Sequence, residues 1–113
     1  MTIFEILDGI LSTFDVPYYD HMPEFAEGEE DGLFITYSLY NVPYLFGDGV
    51  EKVTRYFITV SFFGQDYAQT DALFDSAENV LSAAEFRRAG TRYSKGSSFP
   101  GYYRIDEKYT FDL

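Results

Sequence analysis

Apolar and polar positions along this chain follow two periods, one near 3.6 residues and one of two, and the changes between them mark its elements. The clearest stretch is Val53–Phe63, VTRYFITVSFF, a run of β-branched and aromatic residues with no proline or glycine inside it. Its even positions, Tyr56, Ile58, Val60 and Phe62, put four apolar side chains on one face. The odd positions mix Arg55, Thr59 and Ser61 with Phe57 and Phe63. Strand side chains alternate faces, so one side is core and the other is partly apolar and needs a cover, from this chain or from another subunit.

Before that strand, Ile3, Phe4, Leu7, Ile10, Leu11 and Phe14 recur at helical spacing behind Thr2 and Glu5, which have the spacing of a capping box. The helix is predicted to end near Phe14, because Pro17 disfavours helical geometry at Val16. Val16–Phe25 reads as an irregular or edge strand broken by Pro17 and Pro23, and EFAEGEEDG (24–32) as an acidic loop. Leu33–Tyr40 alternates as a half-buried strand. NVPYLFGDGVE (41–51) joins it to the central strand, with Gly47-Asp48-Gly49 supplying the turn of an antiparallel hairpin. That link is too apolar for a free tip: it either folds back on its own domain or docks on a neighbour.

Beyond Gly64, Asp66 offers a helix cap, and Leu73, Ala77, Val80, Leu81 and Ala84 give a second helical stripe. It is expected to cross the face formed by Tyr56, Ile58, Val60 and Phe62. Phe86–Tyr93 follows as a strand bearing Arg87, Arg88 and Arg92. After the turn at 94–101, a closing strand places Tyr103, Ile105, Tyr109, Phe111 and Leu113 on one side. Glu107 is the misfit on that side, and the acids of this strand are expected to pair with the arginines. The prediction is one α+β domain over residues 1–113: a single antiparallel sheet with two helices packed on it, in the order α-β-β-α-β-β.

Composition narrows the function. With 113 residues, 46% hydrophobic content and 20% aromatics, the chain can bury a real core. It has no cysteine and one histidine, His21, so no metal site, cofactor site or catalytic residue is predicted. The acidic loop lacks the spaced ligands of a calcium motif. No apolar run is long enough to cross a bilayer, and no secretory signal is expected. Residues 1–51 hold eleven acids and no Lys or Arg, whereas 52–113 hold eight of each sign, so the net charge of −11 arises in the first half. Such a surface repels duplex DNA; it serves solubility, or lets the protein lie near DNA without adhering.

The pieces fall in a recognisable order: VPYY (16–19) after the first helix, the link VPYLFGDGVEKVTRY (42–56), the aromatic pair Phe62-Phe63, a helix, EFRRAG (85–90), and a final strand of alternating tyrosines. Over nearly the whole chain this resembles the tail-completion (tail-terminator) proteins of long-tailed phages and prophages of Gram-positive hosts. The resemblance implies a non-enzymatic protein that forms a ring with itself, commonly a hexamer. The ring caps the tail tube, ends its elongation and presents a surface to the head connector or stopper protein, while DNA passes without specific binding. It implies a place in the virion, reached from the host cytoplasm during assembly. Under it, Val42, Tyr44, Leu45, Phe46, Asp48, Phe57 and Phe63 become candidate subunit or tail-tube contacts. Glu24, Glu27, Glu29, Glu30 and Asp31 become a candidate acidic channel surface. The family's link often carries two adjacent acids, where this chain has Gly47-Asp48-Gly49. A neck (head–tail connector) protein of the same particle shares this chemistry. An acidic DNA-mimic inhibitor accounts for the charge, but its acids belong in extended arrays rather than crowded into one loop.

Overall fold

The computed structural model describes residues 2–21, 32–46, 51–95 and 101–113, with positions 42–46, 51–53 and 92–95 as backbone alone. Helix α1 spans Ile3–Leu11 and begins with the expected capping box: Glu5 N donates to Thr2 Oγ1 at 3.2 Å, and Thr2 N to Glu5 Oε1 at 3.0 Å. A 3-10 turn, Ser12–Phe14, extends it, and Asp15 in a left-handed conformation (φ 56°) stops it ahead of Pro17. Ile3, Leu7 and Leu11 form the buried stripe, while Phe4 remains 48% exposed.

Strand β1, Tyr18–Asp20, lies at the sheet edge, as the reading of 16–25 allowed. It runs parallel to β2 (Phe34–Phe46), with Tyr18 opposite Ile35. The sheet is therefore mixed and five-stranded, and the expectation of a purely antiparallel sheet with four strands is corrected. Residues 21–33 separate the two strands, enough chain for the crossover that a parallel pair requires.

Strand β3, Glu51–Gly64, pairs antiparallel with β2 from Phe34–Phe63 to Phe46–Glu51. The link read as a connection is thus mostly ladder. Helix α2 (Tyr67–Ala83), capped by Asp66 accepting from Gln69 N, leads to β4 (Arg87–Lys95) and β5 (Tyr103–Asp112). The order across the sheet is β1-β2-β3-β5-β4. A bulge between Arg88 and Gly90 offsets β4 against β5.

Both helices lie on one face. Ile58, Val60 and Phe62 of β3 are buried there against Leu7, Leu11, Leu73, Phe74, Ala77 and Leu81. Val80, assigned to the buried stripe from sequence, is 39% exposed, and Phe74 takes its place. A smaller core sits on the opposite face, where Phe34 and Phe63 stack at 4.7 Å with Tyr102 edge-on.

Proline in β2 costs no ladder bond. Thr54 spends its N–H and C=O on Leu113, away from β2. Its partner Pro43 therefore directs its nitrogen outward, on a side where no described strand pairs with it. Beyond Thr54 the β2–β3 ladder continues without β5, as a two-stranded ribbon. Three more residue pairs give the ribbon roughly 10 Å of reach past the sheet. The domain is correspondingly long, 54 × 26 × 25 Å.

Gly64 closes β3 where α2 crosses back. A Cβ there would lie 2.1 Å from Thr70 Oγ1 and 2.6 Å from Leu33 Cδ2. Gly64→Ala is expected to lower unfolding free energy by about 1–3 kcal/mol through overpacking; urea denaturation measures it, and an unchanged midpoint would contradict this account of the turn.

Candidate interaction surfaces

The helix-free face of the sheet is organised in rows by register. Phe34 and Phe63 make an aromatic row, followed by Thr36–Ser61–Asp106 and Ser38–Thr59–Lys108. Tyr40 and Phe57 then close the series, with rings stacked at 5.0 Å. Two adjoining depressions of about 230 and 150 Å³ share Ser38 and Thr59. The floor between the aromatic rows is thus made of hydroxyls. Ser61 donates to Asp106 at 2.5 Å, and Arg104 holds the same carboxylate at 2.8 Å while lying over the Phe63 ring.

His21 borders the smaller depression beside Ser38 and Ser61, which raises a serine–histidine–aspartate arrangement. The geometry does not supply one. His21 bonds Asp20 at 2.7 Å, its side chain is 71% exposed, and among the described residues no hydroxyl bonds to it. Among the described residues there is also no cluster of His, Cys, Asp or Glu able to hold a metal ion, and no helix is long and apolar enough to cross a membrane.

The sequence-predicted contact residues separate. Phe57 is half-buried beside Tyr40, which is 65% exposed, so this pair faces outward. Phe63 is 1% exposed. Its ring is enclosed by Phe34, Tyr102 and Arg104 of its own chain, so it serves packing, and its place among the contact residues is corrected. Val42, Tyr44, Leu45 and Phe46 occupy β2 positions on the ribbon, at and beyond the end of the β3–β5 pairing. Asp48, Glu24, Glu27, Glu29, Glu30 and Asp31 lie outside the described residues.

The pairing expected between the β4 arginines and the acids of β5 is present. Arg55 grips Asp112 through two bonds of 2.7 and 2.9 Å, and Arg87 adds a third at 2.8 Å. Hydrogen bonding from Arg55, aided by the charges of both arginines, holds the Asp112 carboxyl below its ordinary range. Glu107, the misfit of the sequence pattern, is fully buried on the helix side. Arg88 reaches it at 3.1 Å and stands 3.5 Å from Glu78 of α2, and Thr91 donates to the same Glu107 oxygen. The hydrogen bond to Glu107 raises the Arg88 pKa. Tyr109 donates to Glu78 at 2.8 Å, and burial, then that bond, pushes its phenol far above the usual value. The second oxygen of Glu107 has no hydrogen-bond partner among the described residues. Sequence reasoning found Glu107 as an anomaly but assigned no helix partner, because Glu78 is 29 positions away and only the α2 crossing brings it near.

No protein-family model matches this sequence, and no curated protein sequence does. Among solved structures, a chain in the virion of a native gene transfer agent (GTA) particle shares the fold. The superposition has a TM-score of 0.56 and covers 95% of this chain and 83% of that one, at 14% sequence identity. At that identity the likeness is one of fold.

Two outcomes test the electrostatics. Arg88→Ala strands a buried carboxylate and is expected to cost about 3 kcal/mol, the low end for a broken buried pair because Arg88 is half-exposed; Glu107→Leu with Arg88→Leu is expected to be close to neutral. Equal losses in urea melts of both variants would refute this. Asp112 has a lowered folded-state pKa. Its contribution is complete above the unfolded value of about 3.9 and is lost as pH falls through the folded value. Asp112→Asn is therefore expected to be less stable than wild type at pH 7, with the gap narrowing on acidification.

Proposed function

We propose that this chain is a structural protein of a phage or phage-like virion, and within that class a tail-completion protein. In this reading it assembles as a ring, six subunits by the family pattern, caps the tail tube, ends elongation and presents the joining surface for the head connector or stopper. It works in the virion after assembly in the host cytoplasm, and it is not an enzyme. The observation that carries the reading is the fold shared, over 95% of this chain, with a chain of the GTA virion.

The β2–β3 ribbon supports it. A two-stranded ribbon is marginal by itself in water, and it becomes worthwhile when a neighbour supplies the third layer or strand. Its sequence, VPYLF at 42–46, is apolar enough to be held in such a contact. The outward Tyr40–Phe57 pair lies at the base of the same ribbon and extends the contact onto the sheet. The acidic first half suits a surface that DNA passes without adhering.

Electron microscopy of particles made without this protein tests the role. Abnormally long tails are expected; tails of normal length unattached to heads would assign a neck position instead. Competition with duplex DNA for a DNA-binding protein would turn the reading toward a DNA mimic. Replacing Tyr44, Leu45 and Phe46 together by alanine is expected to keep urea stability within about 0.5 kcal/mol, as for surface positions, while abolishing incorporation into tails. Global unfolding of that variant would make the ribbon part of the domain core.

A further inference from the structure

Strand β2 is longer than the partner on its outer side. β1 covers it only from Ile35 to Tyr37, where Ile35 N donates to Pro17 O at 2.9 Å and His21 N to Tyr37 O at 2.7 Å. Those two bonds show that the odd positions of β2 turn their backbone groups outward, and alternation carries this on to Leu39, Asn41, Pro43 and Leu45. Among the described residues no strand pairs with that length of edge. It presents the N–H groups of Leu39, Asn41 and Leu45 and the C=O groups of all four residues; Pro43 has no N–H to offer.

The other two edges of the sheet are protected. β1 is only three residues long. β4 has the bulge between Arg88 and Gly90, and its sequence carries Arg87, Arg88, Arg92 and Lys95. Short length, a bulge and basic residues each discourage strand addition. β2 has none of these devices. From Leu33 to Phe46 the sequence contains no charged residue, and Tyr40 and Asn41 are exposed. An open, uncharged edge is a template for another strand, since main-chain hydrogen bonds supply the contact.

A second copy of β2 fits that edge. Two molecules that each carry −11 repel, so they approach best along a segment where neither has a charge. The donors and acceptors are also self-complementary. In an antiparallel pair with a two-fold axis at Val42, Leu39 lies opposite Leu45 and Asn41 opposite Pro43. The N–H groups of Leu39 and Leu45 then donate to each other's carbonyls, the Asn41 N–H donates to the Pro43 carbonyl, and symmetry doubles all three bonds. The missing proline N–H leaves only the Asn41 carbonyl unpaired in each copy. An axis at Asn41 would instead set Leu45 opposite Tyr37, which β1 already covers. An axis at Pro43 would oppose the two prolines and push Leu39 past the end of β2 at Phe46. The Val42 register alone uses the whole open length, and it places Tyr40 opposite Tyr44 as an aromatic cross-strand pair.

We propose that the β2 edges of two copies join antiparallel about Val42, making one continuous sheet, before the chain meets the tail. A two-fold contact is closed, so the pairing stops at two copies and does not grow into a fibre. It covers the open edge of the ribbon until an assembly partner displaces the second copy. The inference goes beyond the ring reading and does not depend on it.

The chain has no cysteine, so introduced ones report the register. Val42→Cys is expected to give a disulfide-linked dimer on mild oxidation, because the axis sets it opposite itself at a non-hydrogen-bonded position, where Cα atoms lie about 4.5 Å apart. Tyr40→Cys and Tyr44→Cys are expected not to cross-link alone and to cross-link when mixed. In sedimentation velocity on the full chain, wild type is expected to be a dimer. Asn41→Pro removes an outward N–H without touching the ladder to β3, and is expected to weaken association about tenfold. Pro43→Thr adds an outward N–H and is expected to tighten association about tenfold. Circular dichroism is expected to be unchanged in both. A wild type that stays monomeric at high concentration, or an oligomer that Val42→Cys does not cross-link, overturns the inference. Neither result decides the ring reading, which rests on the tails of particles made without this protein.

Discussion

The structure depends on the ladder and alternation of β3. This strand is paired on both edges, by β2 along its length and by β5 from Arg55 to Gly64. It also carries apolar side chains toward both faces, Ile58, Val60 and Phe62 under the helices and Phe63 against Phe34. A slip of one residue would turn the first three out of the helix layer and put Thr59 and Ser61 into it. Each fully buried Ile, Val or Phe stabilises by about 1.5–3 kcal/mol, so such a slip would lose most of the core's contribution. The stacked Phe34–Phe63 pair on the other face fixes the same register independently.

Around that strand the polar groups tie neighbouring elements together. Asp112 gathers Arg55 and Arg87, joining the ends of β3, β5 and β4. Arg88 joins β4 to β5 through Glu107 and to α2 through Glu78. A buried pair of this kind adds little net stability over an apolar replacement, yet its geometry penalises other registers of the β4 edge. Its carboxylates are held by arginine, tyrosine and threonine side chains.

Much of this was legible in the alternation of the chain. The capping box at Thr2 and Glu5, the helix-facing positions of Val53–Phe63 and Leu73, Ala77 and Leu81 of the α2 stripe follow from local spacing, and the structure has them; Val80 of that stripe faces out. The parallel pairing of β1 was not legible, because a three-residue strand broken by proline carries too little pattern to state its direction. Phe63 was misassigned because odd positions of β3 read as one face of uncertain cover. That cover comes from Phe34 and from Tyr102, which lies 39 positions further on. Residues 41–51 were read as a connection around the Gly47-Asp48-Gly49 turn, but the ladder runs to Phe46; the outward direction of the Pro43 nitrogen, fixed by the bonds of Thr54, makes proline compatible with it.

The same ribbon carries the β2–β3 ladder past the body of the domain. Where β5 stops at Asp112, β2 and β3 continue together without a helix above them or a third strand beside them among the described residues. A chain selected only for its own stability gains little from such an extension, since ordering each added residue costs about 1–2 kcal/mol of backbone entropy. The body already has a closed helix-side core and a second aromatic core. The ordering cost is offset in the first place by the cross-strand pairing itself, from Tyr44–Val53 to Phe46–Glu51. The strand pairing that builds the core is also what sets the direction in which the ribbon leaves the body.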